Sequence, residues 1–376
     1  MNLKLKSICL ATLILSAGAA QAQTSVTLYG AVDTGLYYQN TTAASFNPAA
    51  KNTGSTFRYK DGGLYGSVWG IKGTEDLGGG YHANVQLQGA FDSGSGKLGL
   101  ADTPGGVALF NQIATVGISG GFGSVALGRQ VTPMIYAMAE TDVRAGEYFG
   151  SIVTAWIGMN TAAGWPGTST NAPIGAMWDS NAIVYQSPNF GGVTIGLEYA
   201  PGEVAGNNSA GRRESAVVKY VNGGLRLSAL IYDGHDTNLA TGVPLTGVDN
   251  NRLVYFGALY SIAGFSASTS VSNGKNPSNT GKVNVDMYSV GLGYRFSPVF
   301  QLTSGVYYLK DKNNSANQSG LVSVGAEYKL SKMTTLYAQA GKVNNKGTMT
   351  QAIGYGQPVS PGMATTAVMT GIRHLF

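Results

Sequence analysis

The segment Phe265–Ser272, which reads FSASTSVS, carries the clearest structural signal in this chain. Apolar side chains or threonine occupy its odd positions, and serine occupies each even position. Successive side chains of a β-strand point to opposite faces, so this alternation predicts a strand with one apolar and one polar face. Four further segments show the same period, namely Tyr81–Phe91, Leu225–Ile231, Val290–Phe296 and Val322–Lys329.

Alternation alone fits a soluble sandwich and a membrane barrel equally well, but the connections separate the two. Seven short turns are predicted at Asp76–Gly80, Gly120–Phe122, Pro188–Gly191, Asn222–Gly224, Ile262–Gly264, Ser297–Pro298 and Ser331–Lys332. Eight long polar connections are predicted at Thr41–Lys60, Asp92–Ala108, Gln130–Asp179, Pro201–Arg213, Gly234–Asn250, Lys275–Lys282, Asp311–Ser319 and Asn345–Ala364. Short and long connections alternate, which is typical of bacterial outer-membrane barrels.

These connections join sixteen strands, and the predicted fold is therefore an all-β, sixteen-stranded antiparallel transmembrane barrel. An open sheet of that size would expose two unpaired edges, whereas a closed barrel has none. An even number of strands places both chain termini on the short-turn, periplasmic rim. Many of the 21 tyrosines lie near predicted strand ends, where interfacial aromatic residues are expected.

The composition agrees with a membrane protein that crosses by strands. Charged residues make up 11% of the chain, against about 25% in soluble domains. Glycine is abundant, with 55 residues in 376, and the mean hydropathy is close to zero. No apolar run after residue 22 is long enough to form a membrane-spanning helix. Since lipid admits only helices and closed barrels, a barrel is the predicted form.

The first 22 residues have the pattern of an export signal. Two lysines precede the apolar run Ile8–Ser16, and Ala20 and Ala22 provide the small residues of a cleavage site. We therefore expect residues 1–22 to be a cleaved signal peptide and residues 23–376 to form one barrel domain. The protein would be exported to the periplasm and then inserted into the bacterial outer membrane.

Cleavage would remove Cys9, the single cysteine, and the two lysines Lys4 and Lys6. The barrel would then have no disulfide. It would carry 22 of the 24 basic residues against 19 acidic ones, a net charge of +3. Such a small net charge, without a basic run, excludes a nucleic-acid partner.

Five motifs resemble the general diffusion porins of Gram-negative bacteria, in their β-proteobacterial form. They are Val26–Asp33 (VTLYGAVD), Gly66–Gly80 (GSVWGIKGTEDLGGG), Leu127–Gln130 (LGRQ), Tyr185–Gly192 (YQSPNFGG) and Gly371–Phe376 (GIRHLF). The resemblance implies a homotrimer in outer-membrane lipid, with water-filled pores for small hydrophilic solutes. It also implies that the long third loop, Gln130–Asp179, folds into the pore. A connection of this length normally has a function, which such a constriction would supply.

The sequence gives little sign of an enzyme. Its three histidines are His82, His235 and His374, and it has no GxSxG, HExxH or P-loop motif. We predict no catalytic residue, no cofactor and no metal site.

Two other kinds of barrel stay open at this point. A substrate-specific channel for sugars or anions would use aromatic residues or charges of one sign. The third loop holds five aromatic residues, Tyr136, Tyr148, Phe149, Trp156 and Trp165. Packing of the loop against the wall explains them as well and is favoured. A structural or adhesive barrel without conductance is the other alternative.

The resemblance also indicates pore-lining residues, and this chain departs from the family at three of them. An arginine typical of the second strand is replaced by Val68, one typical of the fourth strand by Gln112, and a glutamate of the third strand by Gln88. The remaining candidates are Lys72, Arg129, Glu140, Asp142, Arg144 and Glu147. Further wall charges are Arg226, Arg295, Lys329, Glu198 and Glu327. Because the constriction carries fewer charged residues of either sign than is typical of the family, a weakly selective pore is predicted.

Overall fold

A computed structural model of the chain describes residues 25–99, 108–165, 167, 172–235, 250–276 and 283–376. The predicted signal peptide, residues 1–22, lies outside the described residues, as do parts of four predicted long connections. The strands are β1 (Ser25–Ala43), β2 (Asn52–Asp61), β3 (Ser67–Gly78), β4 (Tyr81–Phe91), β5 (Ile113–Gly120), β6 (Gly123–Val131), β7 (Trp178–Gln186), β8 (Val193–Ala200), β9 (Arg213–Asn222), β10 (Leu225–His235), β11 (Asn250–Ile262), β12 (Phe265–Lys275), β13 (Asn284–Arg295), β14 (Phe300–Asp311), β15 (Gln318–Lys329), β16 (Thr334–Lys346) and β17 (Ala364–Leu375). The described helices are α1 (Pro133–Glu140) and α2 (Ile152–Ala162).

The strands close into a ring. From β3 to β17 each strand pairs antiparallel with the next, and β17 returns to pair with β1 through Ala31–Gln39. β2 and β3 share one position in the wall, because β1 pairs with β2 through Thr34–Ala43 and with β3 through Ser25–Ala31. The seventeen segments therefore fill sixteen positions, and the predicted sixteen-stranded antiparallel barrel is confirmed.

The seven predicted short turns agree with the strand ends, but the first long connection does not. Thr41–Lys60 was predicted to be a loop, whereas β1 continues to Ala43 and β2 begins at Asn52. The polar composition of the segment concealed the strand. Its large apolar side chains in β2 are Phe57 and Tyr59, and both are exposed.

The wall has two chemically different faces. In β15, Val322 and Val324 are exposed, whereas Ser323 between them is buried. We call the face with exposed apolar side chains the outer face and the opposite one the inner face. Near the short-turn rim, Phe265, Tyr294 and Phe296 form an aromatic cluster with ring centroids 4.3 and 4.7 Å apart. Aromatic residues at this height are expected at a membrane interface.

The third connection, residues 132–177, contains both described helices. Within the described part of the chain, neither helix is long and apolar enough to cross a membrane. α1 packs against β8 to β11, and α2 packs against β13 and β14. Apolar side chains of the connection, such as Met138 and Trp156, join Leu309 and Leu321 of the wall in one buried core. The core thus lies between the connection and the inner face of β9 to β17.

Candidate functional site

Local sequence signals set the ends of the two helices. Pro133 is at the first turn of α1, where its missing N–H costs nothing. α2 begins with a capping box, in which the Ser151 hydroxyl accepts the Val153 N–H at 3.1 Å and the Thr154 hydroxyl accepts the Ser151 N–H at 3.0 Å. Ten consecutive residues of α2 are buried, as expected for a helix that is mostly apolar all round.

The segment between the helices, residues 141–150, is the tip of the third connection. Its Asp142 carboxylate accepts the Tyr307 hydroxyl at 2.8 Å and the Ile152 N–H at 3.0 Å. Burial raises the pKa of Asp142, and these two hydrogen bonds oppose that rise. The tip is thereby tied to β14, which is across the ring from β6, where the connection begins.

Arg144 makes the largest set of contacts at the tip and is fully buried. Its guanidinium donates to the Glu147 carboxylate at 2.6 Å, to the Thr303 hydroxyl at 3.0 Å and to the Gln339 side chain at 2.8 Å. It also donates to the carbonyls of residues 149 and 150 at 2.8 and 2.9 Å. Burial raises the pKa of Glu147, and the Arg144 guanidinium beside it opposes that rise. Such charge-assisted hydrogen bonds fix geometry as well as charge.

The last connection, residues 347–363, covers the tip from the long-loop side. The Gly150 N–H donates to the Ile353 carbonyl, and the Tyr355 N–H donates to the Tyr148 carbonyl, both at 2.8 Å. The Tyr148 and Tyr355 rings stack with centroids 4.5 Å apart. A short antiparallel bridge therefore joins two connections that lie far apart in sequence.

The inner face of β1 and β4, together with the residue that precedes β5, carries a row of uncharged side chains. The Tyr29 hydroxyl donates to Gln88 at 3.0 Å and accepts from Gln86 at 2.7 Å. Gln88 in turn donates to Gln112 at 2.6 Å. Lys72 lies over the Tyr29 ring, with its ammonium nitrogen 5.5 Å from the centroid. We call Tyr29, Gln86, Gln88 and Gln112 the neutral row.

The structure brings several of the predicted pore residues together. Gln88 and Gln112 belong to the neutral row, and Val68 and Lys72 lie on the same inner face of β3 by strand alternation. Glu140 at the end of α1 pairs with Lys219 of β9 at 3.0 Å. Asp142, Arg144 and Glu147 are buried and contact one another or the wall.

Arg129 lies apart from this group. It pairs with Ala114, on the face that also carries the exposed Val116 and Leu127. Its guanidinium donates to the Asn111 carbonyl at 2.7 Å and to the Ser180 hydroxyl at 2.8 Å. This placement follows from strand alternation and puts its side chain on the outer face near the long-loop rim.

Open space lies beside Tyr136 of α1. A cavity of about 650 Å³ borders Tyr136 and Glu140 on one side and Arg226, Arg295 and Gln301 of the wall on the other. A smaller cavity of about 210 Å³ lies next to it, bordered by Tyr136 and by the inner-face residues Gln86, Thr115, Gln130, Gln186 and Lys219.

Sequence reasoning missed Arg373 and Lys219, which also lie on the inner face. Arg373 follows the exposed Ile372 in β17, so alternation within the closing motif Gly371–Phe376 could have placed it. It also missed Asp33. The buried carboxylate of Asp33 accepts backbone N–H groups of the segment between β2 and β3, where the wall is interrupted. The glycines Gly62, Gly63 and Gly66 are a local signal for that interruption, although sequence reasoning did not use it.

Among the described residues, no group of three or more histidine, cysteine, aspartate or glutamate side chains could hold a metal ion. The closed barrel has an apolar outer face, a polar inner face and a long connection tied across the ring. These features define a transmembrane β-barrel channel.

Comparisons with known proteins agree with this class. The model of the Gram-negative porin family matches residues 9–348. Outer membrane porin protein 32 of Delftia acidovorans is 30% identical, with 99% of each chain covered. An outer membrane porin protein of Bordetella pertussis is 29% identical, with 99% of this chain and 100% of the relative covered. The chain belongs to the Gram-negative porin family and forms a channel in the bacterial outer membrane.

A solved structure extends the likeness to the fold. The anion-selective porin from Comamonas acidovorans superposes with a TM-score of 0.77 and 27% identity, covering 94% of this chain and all of that one. These relatives are porins, which are channels and not enzymes.

Proposed function

We propose that the third connection narrows a water-filled pore, and that small hydrophilic solutes and ions diffuse through it with weak charge selectivity. The observation that carries this proposal is the neutral row. Where the family places arginine and glutamate, this wall presents Val68, Gln88 and Gln112. These amides hydrogen-bond one another and Tyr29, so their dipoles are satisfied within the wall.

The charges on the facing connection largely cancel. Arg144 is buried against Glu147, and Glu140 is paired with Lys219. A unit charge about 4 Å from a passing ion is worth on the order of 1–4 kcal/mol at a protein surface. Physiological salt largely screens wall charges that lie more than about 10 Å from the passing ion. Lys72 lies over the Tyr29 ring and adds one positive charge beside the neutral row, so any preference for anions should be weak.

Strong anion selectivity is the second candidate, and specific residues favour it. Lys72, Arg226, Arg295 and Lys329 lie on the inner face by alternation, with Glu327 as their acidic neighbour. The similar porin from Comamonas acidovorans is described as anion-selective. Arg226, Arg295 and Lys329 lie at the short-turn ends of their strands, where salt screens their charges, whereas Lys72 lies beside the neutral row.

A reversal potential in a KCl gradient tests the proposed selectivity. The purified protein in a planar bilayer should show a small potential, close to that of a non-selective pore. A large potential of the anion-selective sign would favour the second candidate. Repeating the measurement at low salt should increase any anion preference, because screening is then weaker.

A sugar-specific channel receives less support. Trp156, Trp165 and Phe149 of the third connection are all at least 95% buried, so they form packing contacts and cannot line a solute track. Tyr136 is half exposed and Tyr148 is partly exposed. Absence of conductance block by millimolar sugars would agree with this assignment.

We also propose that three copies assemble into a trimer. Its support is the resemblance of the strand and turn motifs to general porins, together with the continuous apolar outer face, on which Val26, Leu28 and Leu36 are exposed. Native mass spectrometry in several detergents should give three barrel masses, and a single barrel in all of them would contradict it. The mass of each barrel should correspond to a chain that begins at Gln23, as expected after signal cleavage.

A further inference from the structure

The wall is interrupted at residues 62–66, between β2 and β3. β1 runs past this interruption, which we call the strand break, and only its residues 32–33 have no ladder partner in β2 or β3. Unpaired backbone N–H groups in a barrel wall are costly, because lipid offers no replacement for the missing hydrogen bonds. The donors of the strand break must therefore be satisfied by something else.

The carboxylate of Asp33 in β1 satisfies three of them. Its buried carboxylate accepts three consecutive backbone N–H groups, from Gly63 at 3.0 Å, Leu64 at 3.1 Å and Tyr65 at 2.9 Å. The Tyr337 hydroxyl donates to the same carboxylate at 2.8 Å. Consecutive N–H groups that converge in this way form an anion-binding nest, and here the anion is a side chain of the neighbouring strand.

The other side of the strand break holds the tip of the third connection. The Leu64 carbonyl accepts the Tyr148 N–H at 2.8 Å, and the Tyr65 hydroxyl donates to the Ala145 carbonyl at 3.0 Å. The Gly63 carbonyl accepts Gln339, which in turn accepts Arg144 of the tip at 2.8 Å. Three consecutive residues of the break thus connect Asp33 with the tip.

We propose that Asp33 is a positioning residue for the constriction. It never contacts solute, but by shaping the strand break it sets where Tyr65, Tyr148 and the tip lie, and hence the width of the opening. This inference rests on the proposed narrowing of the pore by the third connection. It adds that one carboxylate of β1, outside that connection, controls the width.

The test is the single-channel conductance of Asp33→Asn. The amide that replaces the carboxylate is almost the same size. Its NH₂ group donates hydrogen bonds and would face backbone N–H groups that also donate, so the strand break should loosen. We expect conductance about 1.5-fold higher and larger current fluctuations, because the tip loses its wall support. Asp286→Asn is the matched control: it also removes a buried wall carboxylate, but one bound to Asn273 and Lys312 away from the break. It should conduct as the wild type does.

Tyr65→Phe keeps the test decisive if Asp33→Asn fails to fold. It removes the hydrogen bond to Ala145 alone, and we expect a change in the same direction but smaller. Folding of every variant is checked by heat-modifiable gel mobility. Folded variants whose conductance and fluctuations equal those of the wild type would overturn the role of Asp33. Failure of the proposed constriction would show separately, as an unchanged conductance when the tip itself is deleted.

Discussion

Arg144 is the residue on which the position of the third connection depends most. Replacing it with methionine would keep the volume but leave Glu147 buried without its partner. Removing one member of a buried ion pair typically costs about 3–5 kcal/mol. The loss should affect the connection and leave the backbone ladder intact. We expect Arg144→Met to insert as a barrel, to conduct with larger current fluctuations and to become sensitive to protease near residues 141–150.

Two further variants distinguish the loss of the contacts of Arg144 from the loss of a positive charge in general. Arg144→Met combined with Glu147→Gln should recover part of the lost stability, since no uncompensated charge is then buried. Arg226→Met removes an exposed arginine of the inner face and should leave fluctuations and protease resistance unchanged. Equal fluctuations in Arg144→Met and Arg226→Met would contradict the anchoring role.

Val68 is the residue at which selectivity should respond most clearly. Its neighbours across the strands are Ala31 and Ala90, which are small enough for a longer side chain to pass. Val68→Arg would restore a cation beside the neutral row, and the reversal potential in a KCl gradient should shift toward anion selectivity. Val68→Gln adds a polar side chain of similar length without charge and should not shift it. If the reversal potential shifts by the same amount in both variants, charge at this position does not set selectivity.

Strand alternation was enough to place some of these residues but not others. It put Val68, Lys72 and Gln88 on the inner face, as the pairing of β3 with β4 shows. The burial of Asp142 and Arg144 could not be predicted in this way. Their partners Tyr307 and Gln339 are separated from them by well over a hundred residues. Pairings of that range depend on how the ring closes.

At the scale of elements, the third connection provides nearly half of the residues of the buried core but none of the barrel ladder. Deleting residues between Tyr136 and Trp165 should therefore raise single-channel conductance while the barrel still inserts. Shortening residues 204–209, in the connection between β8 and β9, is a control that should leave conductance unchanged. An inserted deletion variant with wild-type conductance would mean that the third connection does not narrow the pore.

The element order followed from the sequence because turns and alternation are local signals. The contacts that hold the strand break and the bridge between residues 148–150 and 353–355 did not, because they join distant segments. Strand β2 was missed for a different reason. Its alternation is short, with Phe57 and Tyr59 between Thr56, Arg58 and Lys60, in a segment that is otherwise polar.

At the scale of the whole molecule, a closed ladder and an internal core perform different tasks. The ladder joins all sixteen positions and satisfies backbone groups that lipid cannot. The core holds the third connection against the inner face from β9 to β17, whereas the neutral row lies on β1, on β4 and just before β5, outside that core. Pore width and barrel stability should therefore vary independently in most variants of the connection.

The dependence of single-channel conductance on KCl concentration tests the central claim most directly, namely that this porin is a water-filled diffusion pore with a nearly uncharged constriction. A pore of that kind holds ions only weakly, so its conductance should rise in proportion to salt concentration over the whole range. A channel that binds its ions would saturate. Proportional conductance with a small reversal potential is the expected result. Conductance that saturates at moderate salt, with a strongly anion-selective reversal potential, would contradict the account.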